Sequence, residues 1–394
     1  MNYILFDFHK DWENILPLTY TRPISEIRIG ILTIKEKWDK LLDSNCSNLT
    51  EEYLKKKFTP VYKEDNFYIN SSIIPNNQLV AEISELKTGQ VLIKENQVIS
   101  FRFNSALEVI NETIIEKFEK INTSTEFRQI KFPWDIFRQN GLELESDYYL
   151  LTSGRETAEI SKTNGIIGDN IFIEEGAKVE FATINAKDAF VYIGKDAEIM
   201  EGSVIRGSFA LCNNSTLKIG AKIYGPTTIG PHSKVGGEVN NSVIFGYSNK
   251  GHDGFLGNSV LGEWCNLGAG TNNSNLKNNY AEVKLWNYGE GRFAKTGLQF
   301  CGLIMGDHSK CGINTMFNTG TVIGVNANIY GAGFPRNFVP SFSWGGALGF
   351  KKYQINKAFE VNHVVMSRRN LEFDETEQEI LLNIFEATKK YRWF

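Results

Sequence analysis

The sequence has no long apolar run, because no stretch approaches the roughly 18 apolar residues that a membrane-spanning helix needs. Basic residues are not in excess either, and a formal net charge of -4 argues against a surface that binds nucleic acid. The opening stretch MNYILFDFHKDW lacks the basic region and the cleavable apolar segment of a secretory signal. We therefore expect a cytoplasmic protein with no membrane partner and no nucleic-acid partner.

Cysteine is also scarce, with five residues in a chain of 394 and no C-x-x-C spacing. An odd number of cysteines without that spacing favours reduced thiols over disulfides or zinc ligands. We therefore expect no disulfide and no structural metal. The length itself exceeds one ordinary domain and predicts two domains with short appendages. A hydrophobic content of 42% with 22% charged residues is typical of a soluble globular chain.

A repeat of six residues is the strongest pattern present. One aliphatic residue recurs at every sixth position without a miss, at Ile193, Ile199, Ile205, Leu211, Leu217, Ile223, Ile229 and Val235. The same phase holds at Ile167, Ile173 and Val179, slips near Asn185, and returns at Leu261, Leu267, Met305, Cys311, Phe317, Ile323 and Ile329. A period of six fits neither an α-helix nor an isolated strand. It predicts a β-solenoid whose inward ladder is aliphatic, and a purely structural solenoid stays open as an alternative.

The breaks in the repeat are the predicted binding loops, because insertions in a solenoid carry its binding surface. The first spans residues 239–286 and contains His252 between Gly251 and Gly254, an asparagine-rich stretch, and Lys284. Such a loop offers a base near neutral pH, amides for hydroxyl groups and a cation for a phosphate. These groups suit the acylation of an amine on a sugar phosphate, in which an imidazole accepts the amine proton.

Most of the segment 235–334 resembles the acetyltransferase domain of the bifunctional enzymes that acetylate glucosamine 1-phosphate and then uridylylate it. The strings that carry the resemblance are KGH, FLG, LGEWCNLGAGT, SNLKNNYAEVK and CGINTMFNTGTVIGVNANIYGAG, the last two being most similar to the archaeal sugar nucleotidyltransferase/acetyltransferase branch. The resemblance implies a left-handed parallel β-helix, acetyl-CoA as acyl donor, and a homotrimer with clefts between neighbouring prisms. It also implies that His252 is the general base, that Asn266 and Asn275 line the substrate site, and that Lys284 is functional.

The chain departs from that family at two positions. Phe255 stands where the family has a tyrosine, and Asn240 stands where it has a lysine that binds the sugar phosphate. The lost hydroxyl and the lost charge put glucosamine 1-phosphate in doubt as the acceptor. Lys250 and Lys222 are the cations expected to substitute for the missing lysine.

The N-terminal segment mixes apolar strands with helical stretches, which predicts an α/β domain. Its string LPLTYTRP, residues 16–23, resembles the signature of sugar-phosphate nucleotidyltransferases. No glycine-rich phosphate loop precedes that string. Asp7 and Arg22 are the candidate nucleotide-site residues, and Mg²⁺ is expected only if this domain is active. The alternatives left open are a domain that binds a nucleotide sugar without reacting, and one that only supports the trimer.

Four segments are predicted: a shortened nucleotidyltransferase-like α/β domain over 1–131, a linker helix and connection over 132–165, the β-helix over 166–334, and a helical cap over 335–394. The cap covers the open end of the solenoid. Its Arg368 and Arg369, beside Lys351 and Lys352, are also candidates for the phosphates of coenzyme A.

The predicted function is acetyl-CoA-dependent N-acyl transfer to an amino-sugar phosphate or a nucleotide-linked amino sugar. The alternatives are sugar-1-phosphate nucleotidyl transfer as the main activity and a non-catalytic trimer that binds nucleotide sugars.

Overall fold

The computed structural model describes residues 1–394 apart from the side chain of residue 112. The chain forms two compact units, one made of Met1–Ile27 with Leu32–Asp135 and the other of Arg28–Ile31 with Ile136–Phe394. Among the described residues no helix is long and apolar enough to cross a membrane.

The N-terminal unit is built on a mixed six-stranded sheet with a core of aliphatic and aromatic side chains. Its strands, in spatial order, are Ser47–Leu49, Tyr3–Phe6, Asn66–Asn70, Gln97–Phe103, Gln90–Lys94 and Glu119–Asn122. Its helices are α1 (His9–Asn14), α2 (Ile34–Leu42), α3 (Asn77–Ser84) and α4 (Glu112–Ile115), with short 3₁₀ turns at Ile24–Glu26 and Glu52–Leu54 and a strand pair Ile73–Ile74 with Arg128–Gln129. Helix α2 begins where it does because Thr33 and Glu36 form a reciprocal capping box.

Helix α5 (Pro133–Thr152) follows, at the position of the predicted linker helix, and leads to a parallel β-helix. The six-residue repeat is confirmed, because its eight uninterrupted members are at most 2% exposed and form the inner ladder of the prism. Coil-to-coil pairing places Ile193 opposite Leu211 and Leu211 opposite Ile229. Each aliphatic residue therefore packs on its equivalents in the coils above and below.

Three faces make up the prism, named here by the order in which each coil meets them. Face 1 contains the strands Ile171–Ile173, Val191–Ile193, Phe209–Leu211, Thr227–Ile229, Val243–Ile244, Val260–Leu261, Leu303–Met305, Thr321–Ile323 and Phe338–Val339. Face 2 contains Lys178–Val179, Glu198–Ile199, Thr216–Leu217, Lys234–Val235, Asn249–Lys250, Asn266–Leu267, Lys310–Cys311, Asn328–Ile329, Ser343–Gly346 and Gly349–Lys352, the last being antiparallel. Face 3 contains Gly165–Ile167, Thr183–Asn185, Val204–Arg206, Lys222–Tyr224, Glu238–Asn240 and Phe255–Gly257, and the pair Asn272–Asn273 with Met316–Phe317 continues it.

Two expectations about the repeat were wrong. Ile167 is 51% exposed, because Ile166 rather than Ile167 lies in register with the buried Ile184. The stretch that begins at residue 239 is not an interruption, since regular coils continue through Phe255–Gly257. The phase of six is lost there because Val235 lies opposite Lys250, 15 positions on (250 − 235), whereas Leu217 lies opposite Val235, 18 positions on (235 − 217). The loss is divided between two corners, because the step from Val235 to Val239 is four residues and the step from Val239 to Ile244 is five, against six in the coil before. A search with a fixed period of six therefore loses a ladder that is in fact continuous.

Between the strands Asn272–Asn273 and Leu303–Met305 the chain leaves the coils in a long excursion. It carries an antiparallel hairpin of Lys284–Asn287 with Arg292–Lys295. After the last coil come α6 (Ile355–Ser367), α7 (Glu375–Ala387) and a 3₁₀ turn at Lys389–Tyr391. Together these elements confirm the predicted fold class of an α/β unit, a parallel β-helix and a helical C-terminal end.

Candidate functional site

His252 lies at the corner where the face 2 strand Asn249–Lys250 turns into the face 3 strand Phe255–Gly257. Its side chain is exposed. The next coil passes so close beneath this corner that only glycine fits at position 254, where φ is +124° and a Cβ atom would lie 2.0 Å from the carbonyl oxygen of Thr271. The tight corner therefore presents the imidazole outward from a closely packed backbone.

A cavity of about 800 Å³ opens beside His252, and we call it the His252 cavity. Its floor is the outer side of face 2, and residues of helix α6 and its C-terminal end complete its wall. The cavity is lined by Lys218, Lys234, Tyr247, Asn249, Gly251, His252, Trp264, Cys265, Asn266, Leu267, Gly268, Ala269, Lys310, Ile313, Val361, Val365, Arg368 and Arg369. The structure thus brings the predicted His252 and Asn266 together.

The charge of the His252 cavity is strongly positive. Five of its lining side chains are cationic, and none of its lining residues is Asp or Glu. Lys310 is largely covered, its amine donates to the carbonyl oxygen of His308 at 2.9 Å, and burial lowers the pKa of this amine to about 8. Such a cavity favours a ligand with more than one negative charge, since buried or half-buried cations need anionic partners.

One wall of the cavity is aromatic. Tyr247 and Trp264 stack at 4.4 Å with their ring planes 11° apart, and His232 stacks on the other face of Tyr247 at 4.9 Å. These residues share one corner of successive coils, each with φ near +60°. Beside them, Oδ1 of Asn249 is buried and accepts no hydrogen bond from the described residues. A hydroxyl or amine of a ligand would satisfy that oxygen.

Lys250 lies inside the prism rather than in the cavity. It occupies a ladder position opposite Val235 and is 2% exposed. Its amine donates to the carbonyl oxygens of Gly236 at 3.0 Å and of His252 at 2.7 Å. Burial lowers the pKa of this amine to about 8. The arrangement gives Lys250 no access to a phosphate in the cavity and ties it instead to the backbone of His252.

Phe255 and Asn275 meet on face 3. A Cβ atom at Gly257 would lie 2.5 Å from Cζ of Phe255 and 2.7 Å from Nδ2 of Asn275, which places both side chains over this glycine. Asn275 donates to Oδ1 of Asn258 at 2.7 Å. These two predicted substrate-site residues are therefore close to the His252 corner, but neither of them lines the His252 cavity. Lys222 lies on the same face, in line with Glu238 and Phe255.

Lys284 begins the hairpin and lines a different cavity, together with Trp286 and Trp393. Within one chain the structure therefore separates Lys284 from His252 and Asn266.

In the N-terminal unit, the carboxylate of Asp7 is fully committed to structural hydrogen bonds. It accepts from Thr50 Oγ1 at 2.6 Å, from the Ile24 amide at 3.2 Å and from Ser71 Oγ. Burial raises the pKa of Asp7 to about 7 despite these donors. Arg22 is buried, and its Nη2 lies 3.5 Å from Thr21 Oγ1. No three His, Cys, Asp or Glu side chains among the described residues are grouped to hold a metal ion.

Sequence reasoning missed Lys218, Lys234 and Lys310. The sequence did carry a signal for Lys234 and Lys310. Each of them directly precedes an inward residue of face 2, and the residue in that position points outward. Read down the coils, that position is occupied by Thr216, Lys234, Asn249, Asn266, Lys310 and Asn328.

Comparison with known proteins supports a relationship to transferases. Residues 3–156 match the family model described as sugar nucleotidyl transferase. A bifunctional sugar-1-phosphate nucleotidylyltransferase/acetyltransferase of Sulfurisphaera tokodaii is 32% identical over 142 residues, covering 36% of this chain and 35% of the relative. The chain is similar to bifunctional sugar nucleotidyltransferase/acetyltransferases. A bifunctional protein GlmU of Methanocaldococcus jannaschii is 26% identical over 302 residues, covering 70% of this chain and 66% of that protein.

The matched regions span between 35% and 66% of the length of these two relatives. Among solved structures, a UDP-N-acetylglucosamine acyltransferase from Campylobacter jejuni matches 59% of this chain and 85% of its own, at 18% identity and a TM-score of 0.27.

Proposed function

We propose that this protein transfers an acyl group from acetyl-CoA to the amine of an amino-sugar phosphate or a nucleotide-linked amino sugar. The observation that carries the proposal is the His252 cavity, in which an exposed imidazole, the amide of Asn266 and five cations share one space with no carboxylate lining. The similarity to bifunctional nucleotidyltransferase/acetyltransferases supports the same reaction class.

In the proposed reaction, His252 accepts a proton from the amine as the amine attacks the thioester carbonyl carbon. A C–N bond forms, the C–S bond breaks, and the proton held by the imidazole passes to the departing sulfur. The thioester supplies the activated acyl group, and the protein supplies position and proton transfer. Asn266 and the free Oδ1 of Asn249 are the proposed partners of substrate hydroxyl and amine groups.

The phosphate of the acceptor is proposed to bind the cations of face 2. Lys234 and Lys310 flank Asn249 and Asn266 in the same outward column, so a phosphate held there lies beside the imidazole corner. Each charge-assisted contact contributes about 1.5–3 kcal/mol. These lysines offer a replacement for the cation that is missing at Asn240.

A homotrimer is proposed as the active assembly. Lys284 and His252 line different cavities of one chain, so they can serve one substrate only across a subunit boundary. Apolar side chains are exposed on the prism on both sides of His252, including Phe181 at 63%, Ile219 at 70% and Ile313 at 72%. Exposed apolar surface of this kind favours contact with another copy.

Nucleotidyl transfer by the N-terminal unit is not proposed as the main activity. Asp7 is already surrounded by three donors, and no glycine occurs between Phe6 and Arg22 to let a phosphate approach the backbone. We propose that this unit keeps the nucleotidyltransferase-like fold but catalyses nucleotidyl transfer weakly or not at all.

The test is a screen of amino-sugar phosphates and nucleotide-linked amino sugars with acetyl-CoA, followed by the release of free thiol. We expect turnover with at least one acceptor, and loss of that turnover in Asn266→Ala. Asn328→Ala is the matched control, because Asn328 occupies the same outward column but does not line the cavity. Absence of thiol release with every acceptor would favour the non-catalytic trimer.

A further inference from the structure

A second cavity lies beside the hairpin at the far end of the β-helix, and we call it the Trp393 cavity. Its volume is about 1000 Å³. Three elements enclose it: the hairpin, the last corners of the prism, and the C-terminal segment after α7. The lining residues are Lys277, Lys284, Trp286, Gly291, Phe293, Thr319, Arg336, Asn337, Phe338, Lys390, Tyr391 and Trp393.

The cavity carries positive charge and has no carboxylate among its lining residues. Four of its lining residues are cations and none is Asp or Glu. Lys277 donates to the carbonyl oxygen of Glu282 at 2.8 Å, whereas among the described residues Lys284, Arg336 and Lys390 have no carboxylate within ion-pair distance. Cations gathered in a concave space without acidic partners are a site for a polyanion.

Five aromatic rings share this space with the cations. Trp286 stacks on Phe338 at 4.2 Å with the rings 9° apart, which fixes a rigid aromatic wall. Trp393 is 50% exposed with the Arg336 guanidinium 5.3 Å from its ring centroid, and Phe293 is 42% exposed. In addition, the indole Nε1 of Trp286 is buried without an acceptor among the described residues. Exposed aromatic faces in a concave site favour a planar ligand, and the unpaired N–H favours one with acceptor atoms.

We propose that the Trp393 cavity binds a phosphorylated nucleoside with at least two phosphates. The base stacks against the aromatic wall, and Lys284, Arg336 and Lys390 neutralise the phosphates. A simple sugar phosphate leaves the rings unused, and an apolar ligand leaves the cations without partners. The two sources of this chemistry are the 3′-phospho-ADP part of coenzyme A and the nucleotide of a nucleotide sugar.

The proposal does not depend on acyl transfer. Binding at the Trp393 cavity uses no residue of the His252 cavity, and the two sets of lining residues have no member in common. A protein without acyltransferase activity would still bind the nucleotide, so the two proposals fail separately.

Titration calorimetry on the 394-residue chain tests the proposal, with ADP, UDP, 3′-phospho-ADP, coenzyme A, adenosine and pyrophosphate as probes. We expect nucleoside diphosphates to bind at least tenfold more tightly than adenosine or pyrophosphate alone, because both the rings and the cations contribute. Tighter binding of coenzyme A and 3′-phospho-ADP assigns the cavity to the acyl donor, and tighter binding of UDP assigns it to a nucleotide sugar. Equal binding of pyrophosphate and the nucleotides would overturn the role of the base.

Variants locate the site. Trp393→Ala and Lys390→Ala are each expected to weaken the preferred nucleotide by about tenfold to a hundredfold. Both side chains are exposed, so their loss should leave the fold intact. Lys389→Ala, which changes the neighbouring exposed lysine that does not line the cavity, should bind as the unaltered protein does. Loss of binding in Lys234→Ala with full binding in Trp393→Ala would place the nucleotide in the His252 cavity and refute the proposal.

Discussion

Replacing Lys250 by methionine tests whether a charged amine is held inside the β-helix. Methionine keeps nearly the length of lysine but has no charge and no donor, so the carbonyl oxygens of Gly236 and His252 lose their hydrogen bonds. Because the side chain is 2% exposed, water cannot readily replace the amine. The substitution therefore removes one buried charge and leaves two buried acceptors.

The expected magnitude follows from the pKa of the amine, which burial lowers from 10.5 to about 8. That difference corresponds to about 3 kcal/mol of free energy. Below pH 8, Lys250 is protonated in both the folded and the unfolded chain, so the folded state carries the whole cost of burying its charge. Between pH 8 and 10.5 the unfolded chain binds the extra proton, so the contribution of Lys250 to stability rises with pH. Methionine has no such dependence.

Urea unfolding at pH 7 and pH 10 measures this effect. The free energy of unfolding of the unaltered protein, measured relative to that of Lys250→Met, should increase by about 2–3 kcal/mol from pH 7 to pH 10. Lys389→Met, a change at an exposed lysine, should show no comparable dependence on pH. A stability difference for Lys250→Met that is the same at both pH values would refute the buried-charge reasoning.

Three further predictions concern assembly, the N-terminal unit and the acceptor. Light scattering should report a particle near three times the 44.6 kDa chain mass, and a stable monomer at micromolar concentration would remove the shared cleft. Incubation with a sugar phosphate, a nucleoside triphosphate and Mg²⁺ should give little or no pyrophosphate, and robust turnover would instead direct mutation to Asp7 and Arg22. Phe255→Tyr restores the hydroxyl of the resembled family and should raise activity on glucosamine 1-phosphate, whereas unchanged acceptor preference would show that Phe255 does not contact the acceptor.

The β-helix was predictable because its inner ladder repeats in the sequence itself. Each coil of 18 residues returns an aliphatic side chain to the same inward position, as Leu211 and Ile229 do. The ladder could not be followed where two consecutive corners of one coil are shortened, because a search with a fixed period does not detect shorter turns. A lysine at the inward position of that coil concealed the ladder further, since Lys250 has the composition of a surface residue.

The candidate site was predictable only in part. His252 and Asn266 came from a local string and are found in one cavity. The cations beside them come from coils far apart in sequence. The repeat indicates that Lys234 and Lys310 each point outward, but the shortened coil and the excursion between them conceal that both share a column with Asn266. The Trp393 cavity was missed for the same reason, since it joins the hairpin to residues about 100 positions later.

The central claim is that His252 is the general base of an acyl transfer, and the rate of thiol release by His252→Asn tests it most directly. The rate should fall by about a hundredfold to ten-thousandfold, the usual contribution of a positioned general base. Acceptor binding and the urea midpoint should change little, because the side chain is exposed. His363→Asn, a change at another exposed histidine that does not line the cavity, should retain the full rate. An unreduced rate in a folded His252→Asn trimer would contradict the account.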